Sequence, residues 1–233
     1  MKPTFCILWA FLLLAAWTAP GPAQEPPGDQ HPSPLAILEK VRAAHEEKTL
    51  CADFFQKSVL SGMGMEDTAS GTVCFRHPDK MRWEYEKPER QVVVSDGKTL
   101  WIWRPADNQV MKGDAEKLLG PGQGGSFFSD PAVLKEAFDV SMAGEQWVKE
   151  NGAEGTWALK LVPKNPRPEF SLLYILVDKE TNRVARTVSC NPYGDSTTIR
   201  FSNFSSPGLS PGYFSFAPPA GADVLRMDQN PSF

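Results

Sequence analysis

Three constellations in this 233-residue chain have spacings that chemistry can use, and each fails on its context. Gly120, Gly122 and Gly125 satisfy G-x-G-x-x-G, which cradles a pyrophosphate where a strand turns into a helix. Here no strand pattern precedes them and Ser126-Phe127-Phe128 follows, so the segment reads as flexible loop. Ser95 and Lys98 have the S-x-x-K spacing of an acylating serine. They flank Asp96-Gly97, however, and the chain lacks S-D-N and K-T-G, so hairpin formation explains them. The histidines are His31, His45 and His77, and no H-E-x-x-H, C-x-x-C or G-x-S-x-G occurs. Zinc hydrolysis, thiol redox and the nucleophile elbow therefore lack a signature. A hydrolase using the scattered acids Asp53, Glu84 and Asp195 is the enzymatic alternative, and no spacing supports it. The residues point to a binding protein with no catalysis, cofactor or metal.

Apolar surface at strand period stands out instead. From Gly71 the chain reads G-T-V-C-F-R-H-P-D-K-M-R-W-E-Y, then Q-V-V-V-S-D-G-K-T-L-W-I-W. Met81, Trp83 and Tyr85 alternate with Arg82, Glu84 and Glu86, the pattern of a strand with one apolar face. Asp96-Gly97 between two β-branched or aromatic runs predicts a tight type I′ hairpin turn. Trp83, Tyr85, Trp101 and Trp103 are thus expected on neighbouring strands of one antiparallel sheet that holds something greasy. Leu100 and Ile102 compete with Trp101 and Trp103 for the inward side, and that parity stays open.

Other elements must position these strands. Ser33-Pro34 has the N-cap and N1-proline form of a helix start. Leu35, Leu38, Val41 and Ala44 then make an apolar stripe, expected to pack on the sheet, through about Lys48. Strands are predicted at 50–60, 71–76, 81–86, 91–95 and 99–104, with 62–70 a loose connection. Residues 107–130 form a glycine-rich loop bearing the apolar pairs Leu118-Leu119 and Phe127-Phe128; such loops are more often functional than idle. Asp130-Pro131 opens a short helix through about Phe138, carrying Val133, Leu134, Ala137 and Phe138. Strands resume after Gln146, including 172–177, apolar on both faces, then 184–190, 197–204 and 213–216. About ten strands without a βαβ rhythm imply an antiparallel sheet that curls, its concavity plugged by helices.

The N-terminus has export features. Lys2 precedes thirteen apolar residues, Phe5 to Trp17, too few to span a bilayer. Gly21-Pro22-Ala23 is a small-residue cleavage site that would leave Gln24 first in a mature chain of about 210 residues. The organisation expected is a cleaved signal peptide at 1–23, a flexible leader at 24–33, one domain at 34–226 and a tail at 227–233. The net charge of −4 argues against nucleic acid or an anionic membrane as the main partner. Beyond Cys6, the cysteines are Cys51, Cys74 and Cys190, an odd number for an oxidising compartment. Two arrangements stay open, a Cys51–Cys74 bridge with Cys190 free, or three free thiols.

The assembled residues resemble the periplasmic outer-membrane lipoprotein carrier proteins of Gram-negative bacteria, the LolA type. The resemblance rests on the exported N-terminus and Phe54-Phe55-Gln56 after a helix. It also rests on R-H-P-x-x-M-R-W-E-Y and V-S-D-G-K-T-L-W-I-W, Asn108-Gln109-Val110, and F-S-F-x-P-P-x-G-x-D-V from Phe214 to Val224. It covers roughly residues 35–225, weakly over 139–170. It implies an open, incomplete antiparallel β-barrel of about ten to eleven strands, with short helices forming a lid over an apolar cavity. It further implies a monomeric periplasmic shuttle. Such a carrier accepts acylated lipoproteins from an inner-membrane ABC transporter and passes them to an outer-membrane receptor.

In that frame Phe127, Phe128, Leu134 and Phe138 are the expected lid over Met81, Trp83, Tyr85, Trp101 and Trp103. The family usually has arginine before the proline matching Pro78, implicated in lid closure and release. This chain has His77 there and Arg76 one step earlier, making both latch candidates. His77 either hydrogen-bonds a lid carbonyl or is an ordinary edge residue. The family commonly has phenylalanine where Met81 stands, and a flexible thioether suits a lipid wall too. The non-enzymatic alternative is an envelope regulator of the same β-fold that senses lipid or lipoprotein.

Overall fold

The computed structural model describes residues 32–44, 49–77, 79–119, 131–165 and 170–227. The expected signal peptide, most of the leader, the 120–130 glycine segment with Phe127 and Phe128, and all but Met227 of the tail lie outside them. Helix α1 spans Pro34–Ala44. Its entry is capped as the sequence implies, the Ala36 N–H donating to Ser33 Oγ at 3.2 Å. Its buried residues are Leu38 and Val41 of the expected stripe together with Ile37, and Leu35 packs partly buried against the same core.

Twelve strands follow: β1 (Leu50–Leu60), β2 (Met65–Arg76), β3 (Lys80–Lys87), β4 (Gln91–Asp96), β5 (Thr99–Arg104), β6 (Gln109–Asp114), β7 (Phe138–Met142), β8 (Thr156–Pro163), β9 (Leu172–Asp178), β10 (Val184–Cys190), β11 (Ser196–Ser205) and β12 (Asp223–Arg226). They form one sheet in the order β12-β6-β5-β4-β3-β2-β1-β11-β10-β9-β8-β7. Every pairing is antiparallel except β12 on β6, which is parallel. The two ends, β12 and β7, do not pair, so the sheet is an open, incomplete barrel. Among the described residues there are three further short α-helices: α2 (Ala115–Leu118), α3 (Pro131–Ala137) and α4 (Glu145–Glu150).

The curl follows from the core. Twelve strands laid flat would span about 50 Å. Yet Leu100 of β5 and Leu161 of β8 belong to the same buried cluster as Ile37 and Leu38. The sheet therefore bends around α1. Leu172 to Val177 is apolar on both faces because each face is covered. Leu173, Ile175 and Val177 look into the main core, while Tyr174 and Leu176 pack under α4, with Trp147 stacked 3.8 Å from Tyr174.

Several elements differ from the sequence reading. β2 begins at Met65, inside the expected loose connection, because its first residues pair with β1 out to Leu60↔Met65. Residues 109–114 form β6 instead of loop. Tyr213 lies in a 3-10 turn, Pro211–Phe214, not in a strand. The Asp96-Gly97 turn is wider than type I′. Ser95↔Leu100 is its last ladder pair, only Gly97 has positive φ, and Asp96 Oδ1 accepts the Lys98 and Thr99 N–H groups. An aspartate side chain here does the work that a second left-handed residue does in the tighter turn. No helix among the described residues is long and apolar enough to cross a membrane.

Candidate functional site

Register decides which side chains face the core. Trp83 stands opposite Val73 on one side and Val93 on the other, and Val93 stands opposite Ile102. Directly opposed residues share a face. Met81, Trp83, Tyr85, Leu100 and Ile102 therefore all point into the concave side. The other parity runs Arg82↔Val94↔Trp101, so Trp101 and Trp103 stand on the outer face. There Phe216 lies 5.8 and 6.0 Å from their rings, and Lys112 Nζ sits 4.6 Å over Trp101. Trp103 Nε1 is buried with no acceptor among the described residues.

The inward aromatics meet edge to face. Phe54 is 4.9 Å from both Trp83 and Tyr85, and Phe75 is 5.8 Å from Trp83. Such pairs add about 1 kcal/mol each beyond their buried area. Gly71 makes this approach feasible. It lies between Phe54 and Tyr85 in register, and a Cβ there would fall 1.9 Å from the Glu84 carbonyl oxygen. Burial pushes the Tyr85 phenol up, so it stays protonated and donates to Gln56 Oε1 at 3.2 Å.

What fills the concave side is helical. Ile37, Leu38 and Val41 of α1 and Leu134 of α3 are buried against the sheet, with Phe138 at the start of β7. Leu134 and Phe138 are thus buried in the same cluster as Met81 and Trp83, Phe138 as a strand residue 6.0 Å from Phe170. Phe127 and Phe128 lie outside the described residues. The sequence expects helices to plug the concavity and α1 to pack on the sheet, and α1 does both.

Arg76 and His77 sit elsewhere. Arg76 Nε donates to Thr49 Oγ1 and Nη2 to the Leu209 carbonyl, both at 2.9 Å, with its guanidinium over Phe214. It therefore ties the C-terminal segment down across β2. Arg82 does the same through the Tyr213 carbonyl and ring. His77 is exposed in the turn after β2 and lines, with Arg76 and Ser206 to Leu209, a surface cleft of about 700 Å³. Cys51 and Cys74 are joined by a disulfide between directly opposed positions of β1 and β2. Cys190 is free, and burial pushes its thiol up, away from the reactive thiolate.

The acids of the enzymatic alternative each have a separate structural partner. Asp53 accepts from Asn203, Glu84 is paired with Arg82, and Asp195 accepts the Ser61 N–H. Ser95 Oγ is engaged by the Asp79 carbonyl and the Gly97 N–H. No group of three His, Cys, Asp or Glu among the described residues could hold a metal.

Residues 45–217 match the family model described as outer membrane lipoprotein carrier protein LolA. The chain belongs to this family. An outer-membrane lipoprotein carrier protein of Chromobacterium violaceum is 31% identical over 236 residues, covering 98% of this chain and all of the relative. Another from Methylococcus capsulatus is 32% identical over 181 residues, 77% of this chain and 82% of its own. Among solved structures, an uncharacterized conserved protein from Thermus thermophilus superposes with a TM-score of 0.51 at 17% identity. That match covers 82% of this chain and 96% of the other, and it speaks for the fold alone. The LolA match spans β1 to β11 and the aromatic concave face, leaving α1 and β12 outside it.

Proposed function

We propose that this carrier holds the acyl chains of lipoproteins against its concave face and moves them through the periplasm to the outer membrane. Its cargo comes from an inner-membrane ABC transporter and leaves to an outer-membrane receptor, and the carrier works as a monomer. Residues 1–23 direct its export and are then removed. The reading is supported above all by one observation: the greasy face of an open sheet is covered by short helices, not by a second sheet. A segment of 11 residues and another of 7 can swing away from a surface that a paired sheet could not leave.

Magnitudes favour an exchange. One acyl chain of ~16 carbons gains on the order of 10 kcal/mol on leaving water. Ile37, Leu38, Val41 and Leu134 of the two helices are buried, and at about 2 kcal/mol each their burial is worth about 8 kcal/mol, the same order. Helix and acyl chain are thus near-equal competitors for one surface, so loading and release need no chemical step. The wall lined by Met81, Trp83, Leu100 and Ile102 receives the chain once the helices leave.

Inner-membrane vesicles carrying labelled lipoprotein test this directly. Purified protein is expected to bring label into the soluble fraction with the carrier. Label that stays with the vesicles, in the presence of folded protein and active transporter, contradicts the reading.

A further inference from the structure

Beyond the greasy wall, the concave face carries a line of polar side chains that the carrier reading leaves unused. Gln56 and Ser58 continue the inward parity of Ala52 and Phe54 along β1. Ser58 stands opposite Thr197 of β11, whose neighbours of the same parity, Ile199 and Phe201, pack into the core. All three polar residues are half-buried. At a strand rise of 3.3 Å, Gln56 and Ser58 lie about 7 and 13 Å along β1 from Phe54.

These side chains are joined to one another. Tyr85 donates to Gln56 Oε1, reaching across β2 where only Ala69 and Gly71 intervene. Gln56 Nε2 donates to Ser58 Oγ at 3.2 Å, and the Ser58 and Thr197 hydroxyls share a hydrogen bond at 3.2 Å. The glutamine amide brings two hydrogens and each hydroxyl one. The internal bonds use one amide hydrogen and one hydroxyl hydrogen. Whichever way the Ser58–Thr197 bond runs, one amide N–H and one O–H are left without an acceptor among the described residues. Bonds running one way along such a line polarise the last donor.

Hydrocarbon tails offer nothing to those donors. The ester and amide carbonyls that join acyl chains to a lipid head are acceptors only, and they sit where the tail ends. We propose that Gln56, Ser58 and Thr197 form a subsite for these carbonyl oxygens, with the tails running past Phe54 toward Trp83. The subsite rests on the carrier reading and deepens it, from a pocket for grease to one that selects acyl esters and amides over plain alkyl chains.

Two probes separate the ideas: a dipalmitoylglyceryl lipopeptide, and its diether counterpart with the same chains and peptide but no ester carbonyls. Wild-type protein is expected to bind the diester about tenfold more tightly, the size of one or two neutral hydrogen bonds. In Gln56→Leu/Ser58→Ala/Thr197→Val the ratio of the two dissociation constants falls to about one. The single Thr197→Val keeps the side-chain shape and lowers the ratio part of the way, so a triple variant that fails to fold leaves the test standing. A ratio unchanged by these substitutions, or a ratio of one in wild type, overturns the subsite while the carrier reading stands. If neither probe binds wild type, both fall together.

Discussion

Leu38 is 2% exposed at the centre of the α1 stripe, and its truncation is expected to move stability and binding in opposite directions. Leu38→Ala removes about 2–5 kcal/mol of buried packing, which lowers the thermal midpoint. If helix and acyl chain compete for one surface, the same loss makes the empty closed state a weaker competitor. An acylated lipopeptide should then bind at least about tenfold more tightly. A lowered midpoint with weaker binding would make Leu38 an ordinary core residue. Reducing the Cys51–Cys74 disulfide, which spans 23 residues, should cost about 3 kcal/mol, read as a shift of the denaturation midpoint with and without reductant. At this scale the sequence was partly legible. The alternation of Met81, Trp83 and Tyr85 with charged residues named the inward face of β3 without help, since Arg82 and Glu84 cannot be buried unpaired. Trp101 and Trp103 could not be placed. Their parity depends on the connection Lys87 to Gln91 and on the hairpin after Asp96, and a one-residue difference in either reverses every side chain of β5.

One turn and one glycine carry element-scale predictions. Gly71→Ala drives a methyl group into the Glu84 carbonyl, so β2 and β3 must part locally. The expected cost is about 3 kcal/mol, measured by denaturant unfolding, and a variant as stable as wild type would mean the strands are freer to shift than their register implies. Asp178 closes the turn into β10. Its carboxyl is held below the usual range mainly by the Thr181 N–H and then the Thr181 hydroxyl, with the Glu180 N–H adding less. A pKa lowered in the folded state adds stability that is complete above about pH 4 and is lost as pH falls through the lowered value. Asp178→Ala should therefore be less stable at neutral pH, the gap closing in acid; a gap constant with pH would exclude the charge as its cause. Strand β9 was legible as a continuous apolar run, because both its faces are covered. Strand β12 was not. All four of its residues are exposed and it pairs in parallel with β6, so no hydrophobic alternation marks it. The polar turn at 178–183 and the helix start at Ser33 were readable because a side chain there has a local job.

At the scale of the molecule, one sheet of twelve strands is the scaffold and, in the proposed function, the binding surface as well. A flat or closed version would not serve. Flat, it would expose the aromatic face; closed, its interior would be sealed on all sides. Openness at β7 and β12 leaves the concave side to be covered by other elements, and residues of α1 and α3 cover it. That arrangement was legible only in outline, because the curl comes from contacts between residues as distant as Leu100 and Leu161, which no local pattern encodes. The outer straps held by Arg76 and Arg82 were hidden for the same reason. If acyl chains replace the helices on the concave face, cargo binding must loosen α1 and α3 while the strands hold. Amide hydrogen exchange with and without a saturating diacyl lipopeptide reads this directly. Amides of Ile37 to Val41 and of α3 are expected to lose protection in the complex, while those of β1 to β3 keep or gain it. A lipopeptide that binds and leaves α1 as protected as in the empty protein would contradict the exchange of helix for acyl chain.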